Sequence, residues 1–208
     1  VLSKRIVLTV LAAVLLLMAG EFLFLYWRDH QPLHENRFDP MIVAAAREYD
    51  VDPFLIRALI WRESRFDPST YGTAQEHGLM QVTPAVGVAW AKANKVPHFQ
   101  PSDLFDPLLN IRVGTWYLSH ALKRWTQADD PVPFALAEYN AGRSNALKWV
   151  DPSDPNDHTA FLNRITFPTT RKYVEVILER REVYRTALAH NRWYREFAPS
   201  PASVTSAP

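Results

Sequence analysis

Five of the seven Asp-Pro pairs, Asp39-Pro40, Asp52-Pro53, Asp67-Pro68, Asp106-Pro107 and Asp130-Pro131, divide most of this chain into short segments. An Asp carboxylate can accept from the free N–H groups of a first helical turn, and Pro loses nothing there by lacking an N–H. Each pair therefore reads as a helix entrance. Apolar residues follow at helical spacing: Ile56, Leu59 and Ile60 after the second pair, Ile111, Gly114, Leu118, Ala121, Leu122 and Trp125 after the fourth, and Tyr173, Ile177, Tyr184 and Leu188 near the end. No alternating strand pattern competes, and the expectation is an all-α fold. Glycine is scarce, six in 208 residues. The stretches between helices that carry it, Tyr71 to Gln81 and Asn140 to Arg143, are where the backbone has the freedom to build a site.

Ahead of these segments stands an apolar run from Ile6 to Trp27, 22 residues interrupted only by Thr9 and Glu21. As a helix it would extend roughly 33 Å, the thickness of a bilayer core. Lys4 and Arg5 precede it, and Tyr26 and Trp27 close it, so the expected topology has the N-terminus in the cytoplasm and the bulk of the chain outside. A cleaved signal peptide is the rival reading. Its apolar core could be Ile6 to Gly20, but Leu17 and Met18 ahead of Ala19-Gly20 make a poor cleavage pattern. The expected layout is an anchor over residues 1–30, a polar tether over 31–38, one helical domain over 39–197 and a disordered Pro-, Ser- and Ala-rich tail over 198–208.

Charge and composition narrow the chemistry. With 23 Lys and Arg against 22 Asp and Glu, no excess positive charge is available for a polyphosphate, which excludes nucleic acid as the expected partner. The absence of cysteine excludes disulfides, thiolate metal sites and a cysteine nucleophile. The seven histidines form no H-E-x-x-H motif, and no phosphate loop or Ser-His-Asp signature is present, so neither metal nor organic cofactor is expected.

One carboxylate stands out. In the segment that begins at Asp52-Pro53, position 63 shares a face with Ile56, Leu59 and Ile60. Desolvation there would raise the pKa of Glu63 into the range a general acid needs near neutral pH. Pairing with Arg57, Arg62 or Arg65 at the rim of an ordinary amphipathic helix explains the same spacing; periodicity alone favours that pairing and does not select a catalytic role.

The surrounding motifs do. Glu63-Ser64-Arg65-Phe66-Asp67-Pro68 and Gly78-Leu79-Met80-Gln81 are followed in order by Asp106-Pro107-Leu108-Leu109-Asn110-Ile111 with Gly114 and Tyr117-Leu118, by Ala135-Leu136-Ala137-Glu138-Tyr139-Asn140-Ala141-Gly142, and by Thr170-Arg171-Lys172-Tyr173-Val174. In this, residues 39–185 resemble the lytic transglycosylases with the SLT-type, lysozyme-like helical domain. The resemblance implies an enzyme acting on peptidoglycan glycan strands, with Glu63 as its catalytic residue. It also implies that the Gly78 to Gln81 turn, Tyr139 and Asn140 line the sugar cleft, and that Ser64 and Tyr173 lie near the scissile bond. Met80 reads equally as core packing, and Asn140 to Gly142 equally as a helix terminus. Two departures are visible: many members have Gly-Ala where this chain has Gln75-Glu76, and Glu where it has Thr169. For Glu76 a solvated or Arg-paired loop position is preferred to a second catalytic role, because nothing in the sequence fixes its geometry.

The family's reaction needs one carboxylate where ordinary glycosidases use two. Protonated Glu63 would donate to the bond between N-acetylmuramic acid and N-acetylglucosamine, and would then take the proton of the muramic acid C6 hydroxyl as a 1,6-anhydro ring closes. The implied location is the bacterial inner membrane, with the domain on the periplasmic, cell-wall side. A hydrolytic muramidase of the same fold and a non-catalytic glycan-binding module are the alternatives.

Overall fold

The computed structural model of the protein describes residues 4–29 and 35–197, and within the first helix the side chains of 5–6 and 13–23. The expected tail from Ala198 and the first half of the expected tether, residues 31–34, lie outside the described residues. Two units separate, Val1–Arg37 and Phe38–Pro208. The first holds α1, Lys4–Asp29, whose described apolar side chains, such as Leu16 and Phe22, are exposed. Of the expected membrane span, the side chains of residues 7–12 and 24–27 lie outside those described, and among the described residues no helix is long and apolar enough to cross a membrane.

The second unit is helical: α2 (Asp39–Tyr49), α3 (Pro53–Ser64), α4 (Pro84–Ala93), a 3₁₀ turn (Pro101–Phe105), α5 (Pro107–Arg124), α6 (Pro131–Ala141), α7 (Arg143–Trp149), α8 (His158–Arg164), α9 (Pro168–Ala187) and a final 3₁₀ turn (Arg195–Phe197). Among the described residues only isolated bridges, Tyr71 to His77 and His77 to Val82, take an extended pairing.

Three of the five Asp-Pro pairs open helices as expected. Asp52, Asp106 and Asp130 accept from the N–H groups of Phe54, Leu109 and Val132 with Pro at the first helical position. The other two do not. Asp39 lies inside α2, buried, where it pairs with Arg57 and accepts the Tyr194 hydroxyl at 2.8 Å. Neutralising a buried guanidinium outweighs capping there. Asp67 accepts from the N–H and hydroxyl of Ser69 and shapes a turn, with no helix behind it.

α3 is the centre of the domain. Residues 53–61 are buried without interruption, so this helix has no solvent face over that length. α9 packs along it, α6 packs against α5 and α9, and α2 covers α3 and α5. Asp52 at its entrance also pairs with Arg181 and Arg185 of α9, which fixes the register of the two helices.

Candidate active site

Glu63 is the penultimate residue of α3. The helix stops there because Arg65 and Phe66 take left-handed conformations, with φ of 52° and 61°. That arrangement costs about 1 kcal/mol per residue. It is held by burial of Phe66, which stacks on Phe38, and by Arg65, whose guanidinium lies over Trp61. The turn leaves Glu63 half-buried at the edge of the core.

α9 supplies its partner. The hydroxyl of buried Tyr173 donates to Glu63 Oε1 at 2.5 Å, and among the described residues Oε2 has no hydrogen-bond partner. Desolvation pushes the Glu63 carboxyl up from its ordinary 4.5 to about 7; the Tyr173 hydrogen bond and the Arg62 charge oppose the rise, and the Glu76 charge adds to it. Burial, with the neighbouring Glu63 charge, pushes the hydroxyls of Tyr173 and Tyr139 well up, so both stay protonated donors. None of the three arginines near in sequence pairs with Glu63. Arg57 is committed to Asp39, Arg62 lies over the Tyr173 ring, and Arg65 over Trp61.

The remaining expected residues divide by exposure into two groups. Tyr139, half-buried at the end of α6, donates to the Met80 carbonyl at 2.8 Å and packs near Tyr117, their centroids 5.3 Å apart. With Gln81, Val82, Thr83 and Val86 the two tyrosines line a cavity of about 90 Å³. Asn140 is exposed and accepts the Thr170 hydroxyl at 2.8 Å, joining α6 to α9. Gln81 is half-buried and donates to the carbonyls of Thr70 and Gly78. Ser64 and Met80 lie deeper. The Ser64 hydroxyl is spent on the Leu79 carbonyl at 2.8 Å, and the Met80 side chain is fully buried. Gly114 makes room for it, since a Cβ there would stand 2.6 Å from the Met80 sulfur. These two side chains are buried and brace the loop that carries Leu79 and Met80.

The order of the loop 65–82 depends on a residue to which the sequence assigned no role. Buried Asn110 on α5 accepts from the Met80 N–H at 2.8 Å and donates to the carbonyls of His77 and Leu104, each at 2.7 Å. Gly78 sits at φ 70°, and a Cβ on it would meet the Asn110 amide at 2.6 Å. An amide next to the apolar stripe of α5 was the available signal. Buried Glu138 is held by Arg124, Arg143 and the Trp125 indole at 2.8 Å, and ties α6 to α5. The loop also fixes Glu76 more firmly than its sequence suggests: its Oε2 accepts from the Ala74 N–H at 2.9 Å. Gln75, at φ 65°, occupies a left-handed position suited to glycine.

Away from this site, the ligand atoms of Asp129, Asp157 and His158 approach within 4.8 Å at the start of α8. Their hydrogen bonds already link His158 to Asp129 and cap α8 through Asp157.

A carboxyl that titrates near neutrality, bonded on one oxygen and open on the other, can both give and take a proton. Residues 40–161 match the Transglycosylase SLT domain family. The chain is 28% identical over 171 residues to the soluble lytic murein transglycosylase of Salmonella typhimurium, covering 81% of this chain and 24% of that one. It is 30% identical over 143 residues to the membrane-bound lytic murein transglycosylase C of Actinobacillus succinogenes, covering 66% of this chain and 40% of the relative. Among solved structures, an inactive mutant of the lytic transglycosylase Slt from Pseudomonas aeruginosa superposes with a TM-score of 0.67 at 25% identity, over 78% of this chain and 25% of that one. The chain thus spans about a quarter to two fifths of the length of these proteins.

Proposed function

The chain belongs to the transglycosylase SLT family, and from that premise we propose that it cleaves the β-1,4 bond between N-acetylmuramic acid and N-acetylglucosamine in peptidoglycan strands, closing a 1,6-anhydro ring without water. The observation that carries this reading is Glu63, whose carboxyl is raised to about 7 by burial and oriented by Tyr173. Near neutral pH roughly half of such carboxyls hold a proton, so one residue serves both half-reactions. Protonated Glu63 gives its proton to the glycosidic oxygen as the bond to the muramic anomeric carbon breaks, and the substrate's acetamido group stabilises the developing cation. The C6 hydroxyl of the same sugar then attacks that carbon and returns its proton to Glu63. The residue ends as it began, and the reacting hydroxyl is already tethered to its target.

Tyr173 holds the rotamer of Glu63, Tyr139 and Gln81 face the sugars, and Asn140 borders the cleft between α6 and α9. Ser64 and Met80 act through the loop they support. Digestion of purified sacculi followed by mass analysis tests the reaction. Muropeptides lighter by one water than their hydrolytic counterparts, with no new reducing end, support it. Mainly reducing-end products would assign a hydrolytic muramidase instead.

The location proposed is the inner membrane, with the run Ile6 to Trp27 as a single-pass anchor and the domain in the periplasm. It rests on the length of that run, the basic residues before it and the aromatic residues that close it. Full-length protein then sediments with membranes and resists salt extraction; a native N-terminus near Glu21 would contradict the anchor.

A further inference from the structure

The loop 71–82 carries a feature that the acid–base cycle leaves unused. Glu76 Oε2 occupies the space a side chain at position 72 would need: a Cβ on Gly72 would stand 2.2 Å from it and 2.8 Å from Gln81 Oε1. The Glu76 carboxylate and the Gln81 amide oxygen therefore converge over the bare Cα of Gly72. Both are fixed. Ala74 donates to Glu76 Oε2, the Gly72 N–H donates to the Glu76 carbonyl at 2.8 Å, and the Gln81 amide nitrogen donates to Thr70 and Gly78, which turns its oxygen toward Glu76. The bridges on either side of His77 hold the backbone between them. Yet the pair is all acceptor. Among the described residues no Lys or Arg pairs with Glu76, and no donor reaches Gln81 Oε1.

A sugar hydroxyl could satisfy Gln81, but it would leave the Glu76 charge uncompensated close enough to Glu63 for the two carboxylates to repel. An ammonium offers three donors and a positive charge, matching both oxygens and relieving that repulsion. We infer that Glu76 and Gln81, seated over Gly72, form a recognition point for a primary ammonium group on the glycan substrate. This rests on the reading of the Glu63 cleft as a glycan site. Two groups in peptidoglycan carry that chemistry: a glucosamine unit without its acetyl group, and the side-chain amine of a diamino acid in a stem peptide.

Binding to a turnover-deficient chain tests the inference apart from the reaction. Full-length protein carrying Glu63→Gln, in detergent micelles, is titrated calorimetrically with two ligand pairs. One pair is chitotetraose with and without one deacetylated unit; the other is a muropeptide with its diamino-acid amine free or acetylated. In one pair the ammonium form should bind about fivefold more tightly at low salt, a preference that shrinks as salt rises. The pair that shows it identifies the source. Adding Glu76→Gln should erase the preference, and so should Gly72→Ala, which drives a methyl into the seat of the carboxylate. Equal affinity within both pairs, no binding of either form, or a preference that survives both substitutions overturns the inference. Absence of anhydro products from the parent enzyme counts against the proposed reaction alone, because this comparison needs no turnover.

Discussion

Replacing Glu63 with Gln should stabilise the protein above neutral pH and leave its stability unchanged in acid. The native carboxyl is raised from 4.5 to about 7, so the folded state holds the proton more tightly than the unfolded chain. Its contribution to stability is therefore fully present below about pH 4.5, declines between 4.5 and 7, and is lost above 7. The shift corresponds to about 3 kcal/mol for ionising Glu63 where it stands. Solvent at the open edge of this half-buried group screens part of that, and Gln keeps an oxygen for the Tyr173 hydroxyl, so a gain of about 2 kcal/mol at pH 8 is expected. For a domain of this size that raises Tm by about 5 °C. Thermal melts of parent and variant by circular dichroism at pH 4, 6 and 8 read it directly. A gap that opens with pH is the expected result. A variant that melts lower than the parent at pH 8, or by the same margin at every pH, would refute a desolvated carboxyl at this position.

Further expectations follow from the same contacts. Tyr173→Phe removes a donor that favours ionised Glu63, so the alkaline limb of the pH–rate profile should move to higher pH and turnover should fall by about tenfold. Asn110→Ala orphans the Met80 N–H and two carbonyls, and urea unfolding should show a loss of about 3 kcal/mol. Gln75→Gly relieves a left-handed side chain at φ 65° and should raise Tm by about 2 °C in a differential scan.

The helix entrances at Asp52, Asp106 and Asp130 were legible because capping is local chemistry: a carboxylate, a proline and the next N–H groups suffice. The same dipeptide at 39 and 67 does other work, because Arg57 in the core and Ser69 in a turn recruit those carboxylates. Apolar spacing placed Glu63 on a stripe, but α3 is buried on every side over residues 53–61, so the stripe does not set Glu63 apart. What does is the chain reversal at Arg65 and Phe66 together with Tyr173, 110 residues away, and no spacing rule reaches that far. The loop was recognisable from its glycines and its motif. Its rigidity was not, since it comes from one amide on α5 and from bridges that form only once the chain has turned. Glu76 looked unfixed for the same reason.

In the proposed reaction Glu63 performs both proton transfers, and the rate of 1,6-anhydromuropeptide release from sacculi by Glu63→Gln, beside the parent, reads that assignment. With native folding verified by the melts, a fall of at least about a thousandfold is expected, because both the acid and the base are removed. A folded Glu63→Gln that releases anhydro products at close to the parental rate would contradict it.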